Sequence, residues 1–120
     1  MLLDVSVIMP TRRFGPVLPI LFSGLKNQTL EKNCWEVIVI DDVPTSREQE
    51  AESLAEKYGV NLQYIHPAKK PNWKSNRNIA NARNHGLIVA KGKLIVFFDD
   101  YTWIPPRYLE THLDTYDFSG

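Results

Sequence analysis

The chain has 120 residues, enough for one domain, and its 43% apolar and 23% charged residues are typical of a globular protein with a packed core. Fourteen basic and fourteen acidic side chains cancel, so we expect no long-range attraction for nucleic acid or for an anionic membrane. The apolar runs are far shorter than the roughly 20 residues of a membrane-spanning helix, and the first residues do not resemble a signal peptide. A single cysteine, Cys34, excludes an internal disulfide and fits a reducing cytoplasm.

Four segments are predicted to form strands: Asp4–Met9, which should stop at Pro10, then Trp35–Ile40, Asn61–His66 and Lys93–Phe98. The second and fourth are apolar at almost every position, which is typical of strands in the middle of a parallel sheet covered by helices. The third alternates between polar and apolar residues, which favours a position nearer an edge.

Helical periodicity is found between the strands, in Val17–Asn27, Arg47–Tyr58 and Asn78–Ala90. The first helix should bury Leu18, Leu21, Phe22 and Leu25. The second should be capped by Ser46, end at Gly59 and turn Leu54 and Tyr58 to the sheet. The third should bury Ile79, Ala82, Gly86 or Leu87, and Ala90. A short helix is predicted over Arg107–Leu113, and the polar segment Pro67–Asn76 should be irregular. Alternating strands and helices predict a three-layer α/β/α fold with a mainly parallel, Rossmann-like sheet.

Residues that could bind a ligand are concentrated directly after the predicted strands. Pro10, Thr11 and Arg12 follow the first strand, Asp41 and Asp42 follow the second, and Asp99 and Asp100 follow the fourth. Ligands of open α/β sheets bind beyond the carboxyl ends of the strands, so we expect these residues to share one edge of the sheet.

The acidic pair Asp99-Asp100 closes a strand that should be buried, where two adjacent carboxylates repel each other. A divalent cation such as Mg²⁺ or Mn²⁺ would relieve this repulsion, because it prefers carboxylate and phosphate oxygens as ligands. The pair could then bridge to a diphosphate. The alternative is that these aspartates, like Asp41-Asp42, only form turns after their strands.

Basic and amide side chains near the third helix could bind the other side of such a ligand. Arg77 and Arg83 offer guanidinium groups that match phosphate geometry. Asn78, Asn81 and Asn84 are poor helix formers, which suggests a role other than helix stability. The alternative is a solvated helix face with a capping asparagine.

Taken together, several blocks of the sequence resemble the family 2 inverting glycosyltransferases of the GT-A fold. They are VSVIMPT at Val5–Thr11, Gln28-Thr29, WEVIVIDD at Trp35–Asp42, NARNHG at Asn81–Gly86, AKGK at Ala90–Lys93 and LIVFFDD at Leu94–Asp100. The resemblance covers the chain from Val5 to about Leu109, and the blocks agree in order and approximate spacing.

The resemblance implies a nucleotide-diphospho-sugar donor, often a UDP-sugar, and a divalent metal. Pro10 and Thr11 would line the base and ribose, Asp42 would accept a hydrogen bond from the base, and Ala82-Arg83-Asn84 would help to form the donor pocket. Asp99 would contact the ribose or sugar, and Asp100 would coordinate the metal. Tyr101 stands where many members carry a further acidic residue, and Val43-Pro44 replaces a frequent glycine-serine.

In this family the acceptor site and the catalytic base lie downstream of the acidic motif, so we expect residues 1–120 to be the donor-binding half of a longer enzyme. The intact enzyme would transfer the sugar, with inversion, to a saccharide or lipid-linked acceptor. We expect it in the cytoplasm, where it could bind peripherally to the membrane. The half alone should transfer little or no sugar. It should also self-associate, because apolar surface beside Leu94–Phe98 would be uncovered.

Two other classes are weighed against this interpretation. A receiver domain of a response regulator has a similar size and an acidic strand end like Ile38–Asp42, but it needs the acidic pair after its first strand. A non-catalytic nucleotide-sugar-binding module would keep the fold without transfer. A dinucleotide-binding dehydrogenase is disfavoured, because no G-x-G-x-x-G follows the first strand.

Overall fold

The computed structural model describes residues 3–12, 17–43, 45–67, 79–99 and 103–116, with the backbone alone for 79–83. The elements in chain order are β1 (Leu3–Thr11), α1 (Val17–Lys26), a 3₁₀ turn (Lys32–Cys34), β2 (Trp35–Asp41), α2 (Glu48–Tyr58), β3 (Leu62–Ile65), α3 (Ile79–Val89), β4 (Gly92–Phe97) and α4 (Tyr108–Thr115). Every predicted strand and helix is present, with ends that differ by at most two residues.

The four strands form one parallel sheet in the order β3-β2-β1-β4. The pairing of β1 with β2 runs from Val5 opposite Trp35 to Thr11 opposite Asp41. On its other side β1 pairs with β4 as far as Ile8, which lies opposite Phe97. All strand ends that carry the candidate residues therefore point to the same edge of the sheet.

The two faces of the sheet are covered by different helices. Val5, Val7 and Met9 of β1 belong to a fully buried core with α1 and α2. The alternate residue Ile8 lies on the opposite face, in a smaller cluster with Ile38 and partly buried Val89 of α3. Alternation along the strand thus supplies an apolar layer to each face. The structure confirms the predicted three-layer α/β/α arrangement and its Rossmann-like sheet.

The direction in which the chain winds reverses between β1 and β4. From β1 the chain moves outward through β2 to β3, and α3 then carries it back across the other face to β4. Such a reversal leaves a crevice at the carboxyl ends of the two adjacent strands, where open α/β sheets bind their ligands. Thr11 is the last residue of β1, and Asp99 follows β4.

The first strand continues through Pro10 to Thr11, although the sequence predicted that it would stop at Pro10. In a parallel ladder the N–H and C=O of one residue point to the same neighbour. The C=O of Ile8 accepts a hydrogen bond from Phe98, so Ile8, and with it Pro10, faces β4. Because the pairing with β4 ends at Ile8, the missing N–H of Pro10 costs no ladder bond.

Helix α1 buries its predicted stripe completely, and α2 ends at Gly59 in a left-handed conformation with φ of 68°. In α3 it is Gly86, and not Leu87, that faces the sheet. A Cβ atom on Gly86 would lie 2.7 Å from Ile8, whereas the Leu87 side chain is 45% exposed. The absence of a side chain lets the helix approach the strands closely.

The fourth strand lies at an edge of the described sheet, and not in its middle as its apolar run suggested. Leu94 and Ile95 are half-buried, and Phe97 is 41% exposed. The expected self-association through this edge stays a prediction. None of the described helices is long and apolar enough to cross a membrane.

A buried carboxylate, Glu36, connects the strands near their amino ends, opposite the candidate residues. Its side chain is almost fully buried and accepts hydrogen bonds from the hydroxyl of Ser6 at 2.7 Å, the amide of Gln63 at 2.6 Å and the backbone N–H of Lys91 at 2.8 Å. The Ser6 hydroxyl in turn accepts one from Gly92. These bonds connect β1, β2, β3 and the turn between α3 and β4.

We predict that Glu36→Gln destabilises the fold although the two side chains have the same shape. All three groups around Glu36 donate, so a glutamine would turn its own NH₂ donor towards at least one other donor. The free energy of unfolding in a urea titration should fall by about 1–3 kcal/mol.

The matched control is Glu52→Gln on the exposed surface of α2, which should change stability by less than about 0.5 kcal/mol. Equal stability of the Glu36→Gln and wild-type proteins would show that the buried network does not depend on an acceptor-only side chain.

Candidate functional site

The carboxyl ends of β1 and β2 are held together by contacts of Asp42. Its backbone N–H donates to the C=O of Thr11 at 2.9 Å, which extends the pairing by one residue. The Nε of Arg12 donates to the Asp42 carbonyl at 3.1 Å and lies 3.8 Å from its carboxylate. The Arg12 side chain is 42% exposed and that of Asp42 19% exposed, so both can be reached from solvent.

Asp41 lies beside Asp42 in sequence but has a different environment. Its side chain is fully buried, and its carboxylate is bound by the guanidinium of Arg47 through Nη2 at 2.5 Å and Nε at 3.1 Å. The hydroxyl of Tyr64 donates to the same carboxylate at 2.5 Å and accepts the backbone N–H of Arg47 at 2.8 Å. This Asp41–Arg47–Tyr64 cluster ties the end of β2 to the start of α2 and to β3.

The cluster changes the acid–base properties of the two partners of Asp41. The hydrogen bond to the Asp41 carboxylate raises the pKa of the Arg47 guanidinium. Burial, followed by the hydrogen bond to Asp41, raises the pKa of the Tyr64 hydroxyl. Asp41, predicted to bind the donor, uses its carboxylate within the fold, so we assign it the positioning of the neighbouring Asp42.

The residue after Asp42 is fixed by a histidine. The Nε2 of His66, which follows β3, lies 2.7 Å from the carbonyl oxygen of Val43. Because a carbonyl can only accept, Nε2 must carry the hydrogen. The loop that begins at Asp42 is therefore fastened to β1, α2 and the end of β3.

The other described candidates lie at the same edge. Asp99 is exposed, directly after Phe98, whose N–H donates to Ile8 of β1 at 2.9 Å. Pro10 and Thr11 close β1. Asn84 is exposed on α3, before Gly86, which packs against Ile8 and Ile40 near the ends of β1 and β2.

Some predicted residues fall outside the described part of the chain. They are Arg77, Asn78, Asp100 and the side chains of Asn81, Ala82 and Arg83. Within the described residues no group of three or more His, Cys, Asp or Glu side chains could hold a metal ion. The described residues alone therefore do not form a metal site, and the role of Asp100 stays a prediction.

Sequence reasoning missed Arg47, Tyr64 and His66 as parts of this edge. Asp41 and Val39 project from the same face of β2, and Val39 lies opposite Tyr64 in the sheet. The alternation therefore contained a signal for Tyr64, but it could be used only once the register of β2 and β3 was known. Arg47 carried no such signal, because an arginine before a helix is ordinarily solvated.

Comparison with known proteins decides the family. The model of Glycosyl transferase family 2 matches residues 6–120, which includes every element described above except the first three residues of β1. The chain belongs to glycosyl transferase family 2. The receiver and dehydrogenase alternatives find no support.

Two curated relatives are similar to nearly the whole chain. The minor teichoic acid biosynthesis protein GgaB of Bacillus subtilis is 33% identical over 95% of this chain and 12% of its own length. The poly(ribitol-phosphate) beta-N-acetylglucosaminyltransferase TarP of Staphylococcus aureus is 32% identical over 95% of this chain and 32% of its own length. The chain thus spans at most a third of these relatives.

Solved structures of similar proteins share the GT-A fold. The complex of residues 1–349 of S. aureus TarS with UDP-GlcNAc has a TM-score of 0.69 at 22% identity, over 93% of this chain and 30% of that chain. The mannosyltransferase PcManGT of Pyrobaculum calidifontis, in complex with GDP-Man and Mn²⁺, has a TM-score of 0.61 at 23% identity, over 80% of this chain and 27% of that chain.

We predict that Tyr64→Phe destabilises the fold and changes its response to alkali. The variant loses two hydrogen bonds, one to Asp41 and one from Arg47, so the free energy of unfolding at pH 7 should fall by about 1–3 kcal/mol. Because folding raises the pKa of Tyr64, the folded state holds this proton longer than the unfolded state. The contribution of the protonated Tyr64 hydroxyl to the free energy of unfolding is therefore fully present below about pH 10, and it is lost as the pH rises further.

Urea titrations between pH 7 and 11 measure both effects, with Tyr58→Phe on α2 as the control. The stability difference between wild type and Tyr64→Phe should shrink above about pH 10, and Tyr58→Phe, which removes a hydroxyl outside the Asp41–Arg47–Tyr64 cluster, should cost less stability at pH 7. A difference for Tyr64→Phe that is zero at pH 7, or that grows with pH, would contradict the role given to its hydroxyl.

Proposed function

We propose that this chain forms the nucleotide-diphospho-sugar-binding part of a family 2 glycosyltransferase that uses a UDP-sugar. The observation that carries the proposal is the edge of the sheet between β1, β2 and β4, where Thr11, Arg12, Asp42 and Asp99 follow parallel strands at a reversal of winding. Membership of the family supports the reaction class.

The contacts of Asp42 support a role in binding the base. Its carboxylate is accessible yet its backbone is fixed by Thr11, Arg12 and the neighbouring Asp41 cluster. A fixed acceptor binds an N–H of a pyrimidine base without losing conformational entropy on binding. Asp99, exposed at the end of β4, is placed to accept a hydrogen bond from a ribose or sugar hydroxyl.

UDP-GlcNAc is the first donor to test, because TarS binds it in its crystal structure and TarP is named for N-acetylglucosamine transfer. In the intact enzyme an acceptor hydroxyl oxygen would attack the anomeric carbon as the bond to the diphosphate breaks, with inversion. The acceptor would be a saccharide, a lipid-linked sugar or a polyol-phosphate polymer.

A divalent cation remains part of the proposal, supported by the Mn²⁺ complex of PcManGT. Asp100 is its proposed ligand, with Arg77 and Arg83 beside the phosphates. No reaction step is assigned to the cation, since the described residues do not form its site. Cytoplasmic location and self-association are likewise expectations carried over from the sequence.

Calorimetric titration of UDP, CDP and GDP, with and without Mn²⁺, tests the proposal. We expect UDP to bind most tightly, and Asp42→Ala to weaken UDP binding about tenfold, the effect of losing roughly 1.4 kcal/mol from one charge-assisted hydrogen bond. Asp100→Ala should remove the gain in affinity that Mn²⁺ provides.

Glu52→Ala, on the exposed surface of α2, is the control for loss of one carboxylate and should leave UDP affinity unchanged. Equal affinity of the wild-type protein for all three nucleotides, or full UDP affinity in Asp42→Ala, would count against the proposed donor site.

A further inference from the structure

The described segment that begins at Trp103 lies against α1. Ile104 is buried against Gly24, so closely that a Cβ atom on Gly24 would lie 3.0 Å from its side chain and 3.3 Å from its carbonyl oxygen. Tyr108, at the start of α4, packs its ring edge-on against Phe98 at 5.5 Å between centroids. The segment Trp103–Leu109 is thus docked on one surface of α1 and on the end of β4.

One side chain, Gln28, hydrogen-bonds to this docked segment at two places. Its Nε2 donates to the carbonyl of Pro105 at 2.7 Å and to that of Gly24 at 3.1 Å. Its Oε1 accepts the backbone N–H of Leu109 at 2.9 Å. Both donors and the acceptor of the amide are therefore used, and two of the partners lie 77 and 81 residues away in sequence.

Two of these partners are groups that helices leave without an internal bond. The Gly24 carbonyl belongs to the last turn of α1, and the Leu109 N–H belongs to the first turn of α4. A flipped amide would place its oxygen against two carbonyl oxygens, so a single orientation satisfies all three groups. Gln28 consequently fixes both the position and the direction of the segment.

The neighbouring Thr29 strengthens this connection. Its backbone N–H donates to the carbonyl of Pro106 at 2.8 Å. Hydrogen bonds from Arg107 and from the Thr29 side chain lower the pKa of the Glu110 carboxyl on α4. Residues 28 and 29 thus hold the segment at both of its prolines and at its helix.

We infer that Gln28 is a positioning residue of the donor site: by fixing Trp103–Leu109, it determines where the chain that leaves β4 at Asp99 is held. The inference rests on the proposed function. Phe98 is fastened to Ile8 of β1 on one side of Asp99, and Gln28 supplies the fastening on the other side.

The effect should be selective within the site. Thr11 and Asp42 are held by β1, β2 and the Asp41–Arg47–Tyr64 cluster, none of which involves Gln28. Loosening the segment after Asp99 should therefore weaken binding of the diphosphate and sugar and leave the contacts of Asp42 with the base intact. A residue that merely stabilised the whole fold would affect both parts of the ligand equally.

The test uses Gln28→Met, which keeps the length of the side chain and removes its hydrogen bonds, in NMR titrations with UDP-GlcNAc and with uridine. We expect the Kd for UDP-GlcNAc to rise about tenfold, as for a loss of roughly 1.4 kcal/mol, and the Kd for uridine to stay within about twofold. Asn27→Ala is the control, because the Asn27 amide bonds only to Ser23 of the same helix among the described contacts.

Gln28→Glu, which keeps the acceptor for Leu109 but loses both donors, serves as a second variant should Gln28→Met not fold, with the same selective loss expected. Unchanged affinity for both ligands, or equal weakening of both, would overturn the inference alone. A wild-type protein that binds neither UDP-GlcNAc nor uridine would overturn the proposed function and the inference with it.

Discussion

The parallel pairing of β1 with β2 on one side and β4 on the other is the constraint on which the candidate site depends. Thr11 lies opposite Asp41. Asp99 lies two residues after Phe97, whose partner in β1 is Ile8. A shift of one residue in either register would turn these side chains to the other face of the sheet. Two apolar cores, one on each face, oppose such a shift because each strand supplies both of them.

Two buried carboxylates stabilise the sheet, Asp41 at the carboxyl ends of the strands and Glu36 near their amino ends. Asp41, at the candidate site, is neutralised by the guanidinium of Arg47 and is also bound by Tyr64. Glu36 is surrounded by neutral donors that satisfy its oxygens. Burying a charge is costly unless it is paired or fully hydrogen-bonded, and the structure shows one solution of each kind. Both carboxylates connect strands to the turns that follow or precede helices.

The sequence predicted the layers of the fold well, since the periodicity of each segment reflects which faces it buries. Long apolar patterns such as that of α1 were placed within a residue of their observed ends. Pro10 was misjudged, because the effect of a missing N–H depends on which neighbour that position faces, and this follows only from the sheet order. β4 was placed too far inside the sheet for a similar reason: an apolar run does not reveal how many strands lie beside it.

The sequence predicted which positions lie at the candidate site, but it did not predict which of them stabilise the fold and which are accessible to a ligand. Adjacent aspartates in sequence, Asp41 and Asp42, look alike, yet one is fully buried in the fold and the other is open to solvent. Contacts across long sequence separations decided this, as they decided the position of Gln28. Such contacts depend on the sheet order and on the register between strands, which the pattern of a single sequence does not supply.

The central claim, that a nucleotide sugar binds at the carboxyl ends of β1, β2 and β4, is tested most directly by mapping amide chemical shifts of the ¹⁵N-labelled chain during titration with UDP-GlcNAc. We predict that the largest shifts occur at Thr11, Asp42 and Asp99, while the shifts of Lys91 and Gly92, at the amino ends of the strands, stay unchanged. Saturable shifts centred on Lys91 and Gly92, with none at Thr11 and Asp42, would contradict it.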